Sequence, residues 1–221
     1  MSRPPLLIFD VNETLLDLTD LRSVLADALG GGERLAEWFF RLLHGSLVAN
    51  ATDSFRSFET IGIEALRAVA ERQGIELGDE QAEALIAGFR SLPPHPDVPS
   101  GLDELRSAGF RLIALSNGSP TGIPAQLTNA GIIDRFEMAV SVEDAGRFKP
   151  DPAPYHLALE RTGVAPADAL MVAAHDWDII GARAVGIPGA FIARPGVVWT
   201  VPHEAAEVAV PDIGALAAAL R

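Results

Sequence analysis

Cysteine is absent from this chain of 221 residues. Its absence excludes disulfides, thiolate metal sites and a cysteine nucleophile. Basic clusters are missing too. The 17 lysines and arginines stand against 30 aspartates and glutamates, for a net charge of −13, so no nucleic-acid partner is expected. An acidic surface of this kind ordinarily serves solubility. No apolar stretch approaches the roughly 20 residues of a membrane span. Pro4 and Pro5 precede only the apolar run Leu6 to Phe9 before Asp10, which is not the pattern of a secretory leader. The expectation is a cytoplasmic protein with no membrane partner. Internal repeats and low-complexity segments are also lacking.

What is there is a globular composition, 48% apolar and 21% charged, in a chain long enough for one full core and a modest second unit. Leu6-Leu7-Ile8-Phe9 is a continuous apolar run, too short for a helix, and reads as a buried strand. From 17 to about 93, apolar positions recur at helical spacing through "LRSVLADALG", "RLAEWFFRLLHGSL", "FETIGIEALRAVAERQG" and "DEQAEALIAGFRSL". This stretch predicts a succession of helices and no strand. "PPHPDVPSG" at 93–101 is a Pro-rich connector, with Ser100 the expected N-cap of the helix "GLDELRSAG". Strands at 111–117, 136–142 and 169–174 are then each followed by a helical pattern. A strand at 189–194, a short "EVAVPDI" and a last helix "GALAAALR" complete the chain. Such alternation implies βαβ units around a parallel sheet. Residues 1–16 and 94–221 would form this α/β core. Residues 17–93 would be a helical insertion leaving from the end of the first strand.

In open α/β sheets, ligands bind beyond the carboxyl ends of the strands. Polar clusters stand at several such ends: Asp10 to Thr14, Ser116 to Ser119, Asp144 to Lys149, and His175 to Asp178. Each has an ordinary explanation taken singly. Asp10 suits an Asx-turn or a helix cap, with Thr14 a turn residue. Ser116-Asn117-Gly118-Ser119 suits a turn. Lys149 suits a solvated loop, Asp178 a cap, and His175 the edge of a loop. Their joint placement at successive strand ends is harder to assign to chance.

Together these motifs resemble a known set. An acid-ended first strand with Thr14 four residues on, "LSNGS", "FKPDP" with Lys149, and an acid before "GARAVG" are similar, in order, to the four motifs of the haloacid dehalogenase superfamily. The resemblance runs from Leu6 to about Ile192. The set is specific, although each motif alone is weak. It implies a doubly wound, Rossmann-like parallel sheet core with an inserted α-helical cap. Most members of that superfamily are phosphatases. Their second Asp, two residues after the first, protonates the leaving oxygen, and Mg²⁺ offsets the phosphoryl charge. Here position 12 is Asn, which cannot protonate an alkoxide. Ala173 and Ala174 stand where the first acid of the metal-holding run is carried, leaving Asp176 and Asp178. A hard cation wants several oxygen ligands, so no metal and no cofactor is expected.

A halide leaves as a stable anion and needs no proton. The chain accordingly resembles the type II, L-2-haloacid dehalogenase branch. The resemblance implies hydrolysis of small 2-haloalkanoic acids to 2-hydroxy acids, through an aspartyl ester on Asp10 and with inversion at C2. Lys149 would keep Asp10 ionised, and Thr14 would fix its rotamer. Arg41 and Asn117 would receive the halide against the apolar lining of Phe58 and Trp177. Ser116 and the first-loop backbone at Val11 and Asn12 would hold the substrate carboxylate, with Tyr155 in the same binding set. Water would then attack the ester carbonyl, activated by Asp178 or by His175, whose ordinary pKa suits base work. The chain departs from the branch at two places. Asn12-Glu13 stands where the branch often has Tyr-Gly, and Ala173-Ala174-His175 where it often has Ser-Ser-Asn. The branch commonly dimerises, and Trp38-Phe39-Phe40 suits either a homodimer interface or the core. Two alternatives stand beside this reading: a superfamily phosphatase acting on a small phosphate ester, and a non-catalytic binding protein of the same fold.

Overall fold

The computed structural model describes residues 5–200 and 205–221; Pro4 lies outside the described residues. Six parallel strands make one sheet: β1 (Leu6–Phe9), β2 (Arg111–Ser116), β3 (Met138–Ser141), β4 (Ala169–Ala173), β5 (Gly189–Ile192) and β6 (Val208–Val210), in the order β3-β2-β1-β4-β5-β6. The continuous apolar runs have a simple cause. A parallel sheet is covered on both faces, so successive residues are all buried. Leu7 and Phe9 point into one core cluster, and Leu6 and Ile8 into the other. The short "EVAVPDI" contributes β6, a three-residue edge strand.

Between β1 and β2 the chain is helical: α1 (Thr19–Leu29), α2 (Arg34–Ala51), α3 (Phe58–Arg72), α4 (Asp79–Ala87) and α5 (Val98–Ser107). Apolar residues from α1 to α3, including Leu25, Trp38, Leu42 and Leu66, join the same core cluster as Leu7 and Phe9. Trp38 is buried and donates its indole N–H to the Gly62 carbonyl at 3.0 Å, so the first residue of "WFF" belongs to the core. Phe39 is half-buried, and Phe40 is 69% exposed. One boundary differs from the sequence reading. Helix α5 begins at Val98, not after Ser100, with Asp97 as N-cap and Pro99 in its first turn. Proline is compatible there because a first-turn N–H has no intrahelical partner. Ser100 Oγ instead donates to the Asp97 carbonyl at 3.3 Å.

The remaining helices are α6 (Gly122–Asn129), α7 (Pro152–Thr162), α8 (Asp176–Ala184) and α9 (Ile213–Ala219). Strand order reverses at β1, which pairs with β2 on one side and β4 on the other. Phe9 stands in register with Ala114 of β2 and Val172 of β4. The loops after these three strands therefore open at one level of one edge, which is the place where α/β sheets bind ligands. No helix among the described residues is long and apolar enough to cross a membrane.

Candidate active site

The first residue beyond β1 is Asp10, whose backbone amide is still held by the Val172 carbonyl of β4 at 3.0 Å. The nucleophile candidate therefore sits on the end of a rigid sheet, not in a free loop. Asp10 is 5% exposed, and donors surround its carboxylate. Lys149 Nζ donates to Oδ1 at 2.9 Å, and Thr14 Oγ1 donates to Oδ2 at 2.7 Å. Thr14 is fixed in turn by accepting the Ala174 amide at 2.9 Å. Burial alone would raise the Asp10 pKa. The Lys149 charge, with the hydrogen bond from His175, outweighs it and holds the group well below the usual carboxylate range.

Lys149 is the only lysine of the chain, and it is buried. Its ammonium also donates to Asp178 Oδ2 at 2.6 Å and to the Leu115 carbonyl at 3.0 Å, so all three protons are used. Burial would lower its pKa, but Asp10 and Asp178 raise it above the ordinary lysine value. Asp178 is fully buried. Burial, and the neighbouring Asp10 charge, push it up against the opposing effect of Lys149.

Tyr155, placed by the sequence reading among the substrate-facing residues, is elsewhere. It is fully buried behind Asp178 and donates to Asp178 Oδ1 at 2.6 Å. The same hydroxyl lies 3.1 Å from the Asp178 carbonyl oxygen. Gly181 of the "GARAVG" motif makes this possible. A Cβ there would stand 2.6 Å from the Tyr155 hydroxyl and from Pro150 Cβ, so the close approach requires glycine.

Asn117 accepts the Lys149 backbone amide on Oδ1 at 3.0 Å, which locks the second loop to the third. Ser116 is buried and accepts the Gly118 amide at 3.2 Å. Val11 is fully buried, and its carbonyl accepts the amides of Leu15 and Leu16 at 2.9 and 3.0 Å, which turns the first loop back on itself. A cleft opens beside Asn12, walled by Trp38, Leu42, Phe58 and Phe89 on one side and by Gly118 and Ser119 on the other. Asn12 is oriented there by Gln126, whose Nε2 donates to its Oδ1 at 3.2 Å. Trp177 is not on that wall. Its ring stacks on His175 with centroids 5.1 Å apart, and Lys149 Nζ lies 5.9 Å from its centroid. Arg41 of α2 is not brought onto the cluster either. Its guanidinium, one-third exposed, donates from Nε and Nη2 to Glu37 Oε1 at 3.2 Å.

Glu13 and Arg194 had no role in the sequence reading, whereas His175 was one of two candidates to activate the water. His175 Nδ1 lies 3.2 Å from Asp10 Oδ2, and its Nε2 lies 2.7 Å from Glu13 Oε2. Burial disfavours the charged ring, but the hydrogen bonds to Asp10 and Glu13 outweigh it and push the pKa up to about 10. Beneath the loop, buried Arg194 donates to the Thr14 carbonyl from Nε and Nη2, at 3.1 and 2.8 Å, and to Asp97 Oδ1 from Nη1 at 2.6 Å. It staples the loop after β1 to the start of α5. The available signal for Glu13 was that it and His175 follow adjacent strands. For Arg194 it was an arginine two residues past β5. Among the described residues, no group of three or more His, Asp or Glu side chains has a geometry that could hold a metal ion.

An ionised carboxylate at the switch point of the sheet, bridged by a buried ammonium to a second carboxylate, can attack an electrophilic carbon or phosphorus. The chain belongs to the haloacid dehalogenase-like hydrolases: the family model matches residues 4–186. Among characterised relatives, the (S)-2-haloacid dehalogenase of Pseudomonas sp. (strain YL) is 32% identical over 193 residues, which cover 86% of this chain and 83% of that one. Among solved structures, the L-2-haloacid dehalogenase from Xanthobacter autotrophicus superposes with a TM-score of 0.92 at 28% identity, covering 98% of both chains. The structure from that organism with chloropropionic acid covalently bound gives 0.91 at 27% identity, again covering 98% of both.

Proposed function

We propose that the protein is a hydrolytic (S)-2-haloacid dehalogenase that attacks carbon with Asp10. The observation that carries this reading is Asn12 where a leaving-group acid would stand, beside a buried Asp10 that the Lys149 ammonium bridges to Asp178. The ammonium keeps Asp10 anionic. Burial strips the carboxylate of water, which strengthens every charge interaction at the moment of attack. Asp10 displaces the halide from the side opposite it, forming an ester and inverting C2. The halide departs toward Asn117 and Arg41, and Ser116 with the first-loop backbone receives the substrate carboxylate. Water then cleaves the ester at Cγ of Asp10, so the inversion is kept. Residues 17–93 act as the cap over residues 1–16 and 94–221, and the cleft beside Asn12 between the two is the substrate space.

Asn12 and Ala173-Ala174 stand where phosphatases carry acids, which leaves Lys149 as the cation beside Asp10. Halide release from a panel of (S)-2-haloalkanoates is therefore expected to be unchanged after exhaustive EDTA dialysis, as read by a halide electrode. Activity lost to EDTA and restored by Mg²⁺ alone, or turnover of small phosphate esters without halide release, would overturn the reading.

Arg41 is proposed to leave Glu37 and meet the anion when substrate enters. Its pair with Glu37 is partly exposed and screened by water, so exchanging it for a dry anion is favourable. Arg41→Ala is expected to lower kcat/KM by roughly 10²–10³-fold. Arg41→Lys should not rescue it, because a point charge lacks the planar fork. Steady-state kinetics checks both, and near-normal turnover in Arg41→Ala would contradict the assignment.

For assembly, we propose a homodimer formed through the outer face of α2, where Phe40, Leu47 and Val48 are exposed at helical spacing. Sedimentation equilibrium should give twice the chain mass, and Phe40→Glu should give the monomer. A monomer at micromolar concentration in the unmodified protein would contradict this.

A further inference from the structure

The geometry points to His175 as the base of the ester-hydrolysis step, positioned by Glu13 and switched on when Asp10 becomes an ester; this rests on the dehalogenase reading above.

Three observations meet at this residue. First, the imidazole is held by both nitrogens, between the reacting carboxylate on Nδ1 and Glu13 on Nε2. Second, its ring is clamped flat, stacked on Trp177 at 5.1 Å and against Phe39 of α2 at 6.0 Å. These contacts favour the same ring orientation when one partner is lost. Third, Glu13 occupies the left-handed backbone region, with φ of 61°. For a residue with a Cβ that conformation is unfavourable. The strain is tolerated at a position whose side chain reaches His175.

In the resting enzyme the charged groups around the ring are Asp10 beyond β1, Glu13 in the same loop, Asp176 on its own helix, and Lys149 across Asp10. Phe39 is the uncharged contribution of α2. Asp10 and Glu13 both favour the imidazolium. Esterification removes one of these negative charges. Glu13 remains on Nε2, so the proton facing Asp10 on Nδ1 becomes the one to leave. Glu13 is one-third exposed and lines a second cavity with Asp17, His95 and Arg194. One proton thus departs with the halide.

The neutral ring then presents its Nδ1 lone pair beside Cγ of Asp10. Water attacks Cγ and gives a proton to Nδ1, producing a tetrahedral adduct. The adduct breaks its bond to the substrate oxygen, which takes the proton from Nδ1 and leaves as the hydroxyl of the 2-hydroxy acid. The remaining Asp10 carboxylic acid passes its proton to Nδ1, restoring the ion pair. Across both steps one water is consumed, and one halide and one proton are released. Asp178 is poorly placed for this work, because both its oxygens are committed to Lys149 and Tyr155.

The test is a single turnover of excess enzyme with (S)-2-chloropropionate, following chloride by quench, protons with an indicator dye, and the ester by intact mass. Proton release should match the chloride phase in the unmodified protein. His175→Asn should slow ester decay by roughly 10²-fold or more beyond any slowing of chloride release, so the adduct accumulates. The pH limb of ester decay should move to lower pH in Glu13→Gln, because the neutral side chain no longer favours the imidazolium. Proton release in step with hydroxy-acid formation, or no adduct accumulation in His175→Asn, would overturn the assignment while leaving the dehalogenase reading intact. Absence of any chloride phase or adduct in the unmodified protein would overturn both.

Discussion

Asp10→Asn is expected to release no halide, a loss of roughly 10⁴-fold or more, while still unfolding cooperatively. The amide matches the carboxylate in shape but not in hydrogen bonding. All the groups around Asp10 are donors: Lys149 on one oxygen, Thr14 and protonated His175 on the other. An amide must turn its own donors toward one of these sets. The cost is about 1–3 kcal/mol, well inside the roughly 5–15 kcal/mol by which domains are stable. A halide electrode and urea denaturation separate the two effects. Halide release within tenfold of the unmodified protein would remove Asp10 from the mechanism.

The second large effect is at Lys149. Lys149→Met should abolish turnover and also destabilise the fold by about 3–5 kcal/mol, the usual consequence of removing one partner from a buried ion cluster. Two buried carboxylates then face each other without a cation. The sign of its pH dependence follows. Burial already raises Asp178, and losing the ammonium raises it further. A carboxyl whose folded pKa is raised destabilises the fold at pH above that value and is relieved as it protonates. The deficit of Lys149→Met should therefore shrink as pH falls from 8 toward 5. Chemical denaturation at several pH values measures this, and a pH-independent deficit would mean that the cluster is not charged as described. Lys149→Arg should not restore activity, because a planar fork cannot reach the three acceptors that the ammonium meets.

Much of this was legible in the sequence for a physical reason. A sheet buried on both faces writes its strands as unbroken apolar runs, so β1, β2, β4 and β5 could be read directly. The edge strand β6, with three residues, carried too little pattern to name. The start of α5 was misread because Pro99 looked like part of a connector, when a first turn accepts proline. In the site, Asp10, Lys149 and Asp178 could be grouped because each follows a core strand. What spacing could not carry was direction. Tyr155 lies six residues past Lys149, yet it points behind Asp178 through the gap left by Gly181. Arg41 follows an apolar run, yet its head group rests on Glu37. His175 was read as one of two candidates to activate the water, and Glu13 only as a departure from a pattern. They are one contact, visible once β1 and β4 are seen as neighbours in register. Composition held an unused clue as well: the chain's only lysine and only tyrosine both end on Asp178.

The ester on Asp10 is the central claim, and isotope placement tests it most directly. With enzyme in excess over (S)-2-chloropropionate in H₂¹⁸O, the first turnover should deliver an unlabelled hydroxyl to the product. One ¹⁸O should appear in the Asp10 carboxylate, read by mass spectrometry of the peptide carrying it, because water attacks Cγ and not the substrate carbon. Label in the product of that first turnover, with Asp10 unlabelled, would contradict it.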